Sequence, residues 1–205
     1  MTREEQRRLK ELKKALGDAE KSLAKSGGFQ RSHGYTFCFA DGFVYWLYPK
    51  VNLSSVGASL SVKPTALDRV LWDVFDLPDN RDQPRSFHVW GAFVAQFHSL
   101  PDPFEVPLPG PEADCVESAY AEVLAYARSA VVQFSGKLKE VEDFQKLIND
   151  DPNEKLNRIL CEIHLGRRLN ALSLLRDALA RGETGGFIGP RGSIYEYAIA
   201  FLERT

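Results

Sequence analysis

The chain has 205 residues, with 26 lysines and arginines against 28 aspartates and glutamates, and 44% of its residues are hydrophobic. These values are close to globular averages, so they exclude wholesale disorder and collagen-like repeats, and the length suits one ordinary domain or one with a helical extension. No apolar run approaches the roughly 18 residues of a membrane span.

The cysteines and the N-terminal residues indicate a reducing compartment. The chain has three widely spaced cysteines, Cys38, Cys115 and Cys161. A small secreted domain usually has an even number of cysteines that form disulfides, so we expect these three to be buried thiols. Residues 1–25 are charged throughout and lack the apolar core of a signal peptide. We therefore expect a cytoplasmic protein.

Residues 3–26 are predicted to form a helix. Leucines and alanines recur there at alternating spacings of three and four, and Gly27 and Gly28 supply a stop. The apolar stripe covers barely two heptads, which is too short for an independent coiled coil. We expect this helix to pack on a sheet, and dimerisation through it is the alternative.

From Phe29 the pattern changes to aromatic and β-branched runs that indicate strands. The runs at 35–40 and 43–49 flank Asp41-Gly42, a pair that tolerates the positive φ angles of a type I′ turn. This spacing predicts a β-hairpin. A further run ends at Pro64, so we predict three antiparallel strands.

The spacing changes back to that of a helix after Pro64. Thr65 is predicted as the N-cap with Asp68 three residues later, and the helix should end near Leu77. The following run at 86–97, SFHVWGAFVAQF, is rich in aromatic and β-branched residues and predicts a fourth strand, with a buried helix as the alternative.

A proline-rich connector at 100–112 divides the chain into two parts. Proline fixes φ and removes backbone donors, so we expect the connector to be extended and stiff. Before it, residues 1–99 form the predicted sheet-bearing part, and after it, residues 113–205 show helical periodicity throughout. The predicted fold is α+β, with an N-terminal helix, an antiparallel sheet of three to four strands and a C-terminal helical bundle, packed together as one unit.

Charge is unevenly distributed along the chain. Residues 1–31 carry a net charge of +4, whereas residues 66–151 carry −9. A negative surface accelerates encounter with a basic protein and opposes binding to nucleic acid. The acidic groups nearest the helix end and the connector are the predicted partner-binding residues: Asp73, Asp76, Asp79, Asp82, Asp102 and Glu105.

No spacing of residues indicates catalysis, a metal site or a cofactor. Cys161 and His164 form an isolated pair, whereas a metal site needs three or four ligands, so Cys161 is expected in the core and His164 at the surface. The glycine-rich stretch at 182–192 lacks the Lys-Ser/Thr of a phosphate-binding loop. It is expected to be a connector that ends in an N-cap at Ser193.

The N-terminal third resembles a family of bacterial proteins of uncharacterised function, DUF4304. The residues that carry the resemblance are Gly28-Phe29, Gly34, the run 35–37 and the strand 43–48. In that family an N-terminal helix leads through a Gly-Phe step to aromatic-rich strands. The resemblance implies a bacterial origin and supplies no catalytic residues.

The sequence favours a protein-binding function over chemistry. The leading hypothesis is an immunity protein that neutralises a cognate toxin by direct binding, with a basic protein as partner and neither nucleic acid nor a membrane involved. One alternative is an enzyme whose site is assembled only in three dimensions, using His88 or His164 with acidic neighbours. An adaptor with an exposed apolar groove is the other alternative.

Overall fold

The computed structural model describes residues 1–101, 103–110, 114–149, 151–190 and 192–204. It confirms the predicted α+β class, with an N-terminal helix, an antiparallel sheet and C-terminal helices. The chain divides into two compact units, one made of Met1–Val62 and Ser99–Lys137 and the other of Lys63–His98 and Leu138–Thr205. No helix within the described ranges is both long and apolar enough to cross a membrane.

The first unit contains two long helices and most of the sheet. Over the described residues, the sheet has six strands in the order β1-β2-β3-β4-β5, with β6 paired to β4. The bounds are α1 Arg3–Leu23, β1 Gln30–Ser32, β2 Tyr35–Ala40, β3 Phe43–Val51, β4 Ser55–Pro64, β5 His98–Ser99, β6 Phe104–Pro107 and α4 Cys115–Lys137. The three predicted strands correspond to β2, β3 and β4, and three short strands extend the sheet.

The predicted hairpin at Asp41-Gly42 is confirmed. Asp41 and Gly42 have φ angles of 49° and 83°, as a type I′ turn requires, and Ala40 pairs directly with Phe43. This register directs the side chains of Cys38 and Tyr45 to the same face of the sheet, where both are buried. The two-residue turn therefore determines which side chains enter the core.

The predicted packing of the N-terminal helix on a sheet is also confirmed. The buried side of α1, with Leu12, Leu16 and Ala19, packs against α4 and β3. Thr2 closes a capping box with Glu5 at its start, and Thr36 of β2 donates a hydrogen bond of 3.0 Å to Glu20. These contacts fix the helix at both ends.

The second unit is mostly helical. Its α-helices are α2 Thr65–Val74, α3 Phe87–Trp90, α5 Val141–Ile148, α6 Lys155–His164, α7 Arg168–Ala180 and α8 Ile194–Arg204, and its 3-10 helices are Pro78–Asp82 and Pro152–Glu154. A two-stranded ribbon, β7 Ile188–Gly189 and β8 Gly192–Ser193, lies in the glycine-rich stretch. Helix α6 packs against α2, α5 and α7, and α8 packs against α2 and α7. Ser193 and Glu196 exchange hydrogen bonds at the start of α8, as the predicted N-cap requires.

Two predictions at the start of the second unit are wrong. The run 86–97 is not a strand, because it forms the one-turn helix α3 and then an irregular segment whose backbone bonds to side chains. The predicted cap of α2 is also incorrect, since its N-cap is Pro64 without a side-chain hydrogen bond. Asp68 is instead fully buried.

Each compact unit combines a segment from the first half of the chain with one from the second half. The predicted parts 1–99 and 113–205 were instead continuous in sequence. The reason is that α4 follows the connector yet packs against α1 and β6 of the first unit. The connector is extended over its described residues 104–107, where β6 pairs antiparallel with β4. That part of it is a sheet edge, on which proline is tolerated.

Candidate functional site

Four of the six predicted partner-binding residues lie in one segment of the second unit. Asp73 is in the last turn of α2 and forms an ion pair with Arg81, which leaves it only half exposed. Asp76 follows the helix, and Asp79 and Asp82 lie on the 3-10 helix Pro78–Asp82; all three are exposed. We call Asp76, Asp79 and Asp82 the acidic segment.

The backbone of the acidic segment is held by a helix-terminating motif. The N–H of Leu77 donates to the Trp72 carbonyl at 2.8 Å, and that of Asp76 donates to the Asp73 carbonyl at 3.2 Å. These bonds define a Schellman motif with Asp76 in the left-handed conformation at φ 57°. The Asp73–Arg81 pair then ties α2 to the 3-10 helix. The three exposed carboxylates are thus presented on a defined backbone.

The other two predicted residues do not join this segment. Glu105 lies on β6 in the first unit, where its carboxylate accepts hydrogen bonds from Ser55 Oγ and Asn52 Nδ2. Asp102 lies outside the described residues. The positive charges of Arg81 and Arg85 also reduce the net charge of residues 73–85 to −2. The acidic surface is therefore smaller than the sequence total of −9 indicates.

A buried ionic network in the second unit was missed by the sequence analysis. Asp68 of α2 accepts hydrogen bonds from Lys63 Nζ at 2.7 Å, from the Ala95 N–H at 2.6 Å and from His88 Nδ1 at 2.7 Å. Lys63 Nζ also donates to the Ala95 carbonyl at 2.9 Å and lies 4.8 Å from the centre of the Phe97 ring. The side chains of Lys63 and Asp68 are completely inaccessible to solvent.

This network stabilises the irregular segment after α3. Burial lowers the pKa of Lys63, and the neighbouring Asp68 carboxylate partly opposes that shift. The ring of His88 stacks on Trp72 with 5.1 Å between ring centres. Because Lys63 and Asp68 cannot reach solvent, their arrangement serves to hold Ala95 against α2 and does not present a reactive group. The sequence does contain a sign of this network, because the charged residue Asp68 interrupts the apolar face of α2.

The buried thiols of Cys38 and Cys161 are not in their nucleophilic form. Burial raises the pKa of Cys38 to about 11 and that of Cys161 to about 12, so both thiols stay protonated. The predictions that Cys161 is in the core and His164 at the surface are confirmed. His164 lines a cavity of about 410 Å³ together with Asp73 and Arg168, but Asp73 is engaged by Arg81.

A second polar cluster in this unit joins residues that are far apart in the sequence. His98 begins β5, and Asp151 and Glu154 lie at the two ends of the turn before α6. Nδ1 of His98 is 2.9 Å from Oε1 of Glu154, and one ligand atom from each of the three residues lies within 4.8 Å of the others. Asn157 donates to the second oxygen of Glu154 at 2.6 Å.

A cavity of about 530 Å³ lies in the first unit. Side chains from α1, β3 and β6 line it, including Lys13, Tyr48, Lys50 and Glu105. Its size is within the range of small-molecule sites. The amines of Lys13 and Lys50 and the carboxylate of Glu105 give its walls binding groups of both charges.

Comparison of the chain with models of protein families, with curated proteins and with solved structures found no match. The resemblance to the DUF4304 family consequently stays a prediction.

Proposed function

We propose that this chain is a bacterial protein-binding module, and specifically an immunity protein that neutralises a cognate toxin by binding it through the acidic segment. The observation that supports this proposal is the exposure of three carboxylates on a backbone fixed by the Schellman motif and the Asp73–Arg81 pair. A defined backbone reduces the entropy lost when a partner binds.

The chemistry of the interior supports binding over catalysis. Asp68 already accepts three hydrogen bonds from protein groups, and burial keeps the thiols of Cys38 and Cys161 protonated. An enzyme needs a base or nucleophile that reaches its substrate. A binding protein needs only a complementary surface, and the acidic segment suits a partner rich in lysine and arginine.

The proposal is tested by affinity capture from the native host with the full chain as bait. The comparison bait carries Asp76→Asn, Asp79→Asn and Asp82→Asn, because asparagine keeps the size of the side chain and tolerates the left-handed conformation at position 76. A matched control removes three exposed carboxylates of α1 instead, with Glu4→Gln, Glu11→Gln and Asp18→Asn.

We expect the parent chain and the α1 control to retain one basic protein that the triple aspartate variant loses. Co-expression should then abolish the toxicity of that protein. Capture of the same partner by all three baits would contradict the role of the acidic segment, and a captured partner without toxicity would contradict the immunity function.

A further inference from the structure

A carboxylate in the second unit is buried without a lysine or arginine partner. The side chain of Glu154 is 9% exposed, and its only ion-pair partner among the described residues is His98, which is 13% exposed. The nearest basic residues of α6 are engaged elsewhere, because Lys155 binds Glu183 and Arg158 donates to the Asn149 carbonyl. A buried negative charge requires compensation.

The side chains of His98, Asp151 and Glu154 place metal-binding atoms close together. One ligand atom from each residue lies within 4.8 Å of the others. Ligands at roughly 2.0–2.2 Å from a tetrahedral zinc ion lie about 3.3–3.6 Å apart, so small side-chain shifts bring these atoms to that spacing. His98 Nδ1 and Glu154 Oε1 are 2.9 Å apart as a hydrogen-bonded pair, and the ion would take the place of the shared proton. Asp151 caps the following turn with Oδ1, which accepts the Asn153 N–H at 2.9 Å, and this leaves Oδ2 for another interaction.

A buried amide beside the cluster has an unsatisfied oxygen. Asn157 is 1% exposed, and its Oδ1 is buried without a hydrogen-bond partner. The Nδ2 of the same amide donates to Glu154 at 2.6 Å and to the Gln96 carbonyl at 3.0 Å, so the amide is fixed beside the carboxylate. An unsatisfied buried carbonyl oxygen is uncommon and requires a partner.

We propose that His98, Asp151 and Glu154 bind one divalent transition-metal ion, with Asn157 orienting the Glu154 carboxylate. Imidazole among the donors favours Zn²⁺ and its neighbours over Mg²⁺ or Ca²⁺, which prefer oxygen ligands alone. Three protein donors leave at least one coordination position open. The ion would connect His98 with the turn that precedes α6.

The site is tested by isothermal titration of Zn²⁺ into the chelator-treated full chain at about pH 7. We expect one ion per chain and a higher unfolding temperature when Zn²⁺ is present. Glu154→Gln and Asp151→Asn should each weaken binding at least roughly tenfold. His164→Ala, which removes an exposed histidine, is the control and should bind like the parent.

Three results would overturn the proposal. The parent chain could bind no Zn²⁺, the Glu154→Gln variant could bind as tightly as the parent, or Mg²⁺ could bind as tightly as Zn²⁺. Circular dichroism of each variant distinguishes loss of a ligand from loss of the fold. If Glu154→Gln does not fold, the more exposed Asp151→Asn supplies the same test. The outcome is independent of partner binding by the acidic segment.

Discussion

Removal of the charge of Asp68 should destabilise the protein strongly. In Asp68→Asn, the Lys63 ammonium stays completely buried but loses its carboxylate partner at 2.7 Å. Breaking a buried ion pair from one side costs about 3–5 kcal/mol. The asparagine oxygen can still accept one hydrogen bond, from Lys63 or the Ala95 N–H, so we expect a loss of about 3 kcal/mol in the free energy of unfolding.

Two further variants separate the effect of leaving the buried Lys63 ammonium without its carboxylate from other effects of the substitution. Asp73→Asn, on the same helix, breaks the partly exposed ion pair with Arg81. It should lower the free energy of unfolding by less than about 1 kcal/mol. The double variant Lys63→Met with Asp68→Asn removes the buried ammonium as well. It should therefore be more stable than Asp68→Asn alone, although Lys63→Met alone is also destabilising.

The loss of stability in Asp68→Asn should also depend on pH. The pKa of Lys63 is lowered by burial in the folded chain, so above that pKa and below the ordinary lysine pKa the unfolded chain binds more protons. Stability from this group therefore rises with pH through that window. Without Asp68 the pKa of Lys63 falls further, so the defect of Asp68→Asn should shrink as the pH rises from the Lys63 pKa of the variant to that of the parent chain.

Urea unfolding followed by circular dichroism measures these free energies. A loss below about 1 kcal/mol for Asp68→Asn, or a double variant as unstable as the sum of the single ones, would refute the reasoning.

Three other changes test local features of the structure. Asp76→Gly should raise the free energy of unfolding by about 0.5–1 kcal/mol in thermal melts, because glycine adopts φ 57° without strain, and a loss of stability would contradict the Schellman geometry. Gly42 has a φ of 83°, so Gly42→Ala should lower the free energy of unfolding by about 1 kcal/mol or more. Gly17 lies inside α1 with open space where a Cβ would be, so Gly17→Ala should raise that free energy by about 0.5–1 kcal/mol. Alkylation followed by mass spectrometry should find Cys115 modified first, since burial raises the pKa values of Cys38 and Cys161; equal rates for all three thiols would be inconsistent with this.

Local sequence patterns predicted the parts of the fold that neighbouring residues determine. The turn at Asp41-Gly42 was predictable because few dipeptides tolerate two successive positive φ angles, and α1 and α4 were predictable from apolar periodicity. The run 86–97 was mispredicted because its aromatic and β-branched residues are typical of strands. Its backbone instead bonds to Lys63, Asp68 and Asn157.

The polar clusters could not be predicted because packing assembles them. His98 and Glu154 are 56 positions apart, and His88 and Asp68 are 20 apart, so no local spacing connects either pair. Of the predicted binding residues, the sequence located Asp76, Asp79 and Asp82 correctly at a helix end. It could not indicate that Arg81 pairs with Asp73, or that Glu105 belongs to the other compact unit.

Binding of a basic partner by the acidic segment is tested most directly by surface plasmon resonance with the captured partner. Exposed charge pairs contribute about 0.2–1 kcal/mol each, so replacing Asp76, Asp79 and Asp82 with asparagine should weaken binding roughly 3- to 150-fold. The loss should appear largely as slower association and should diminish at high salt, while the α1 control is unchanged. Equal association rates for the parent and the triple aspartate variant at low salt would contradict the account.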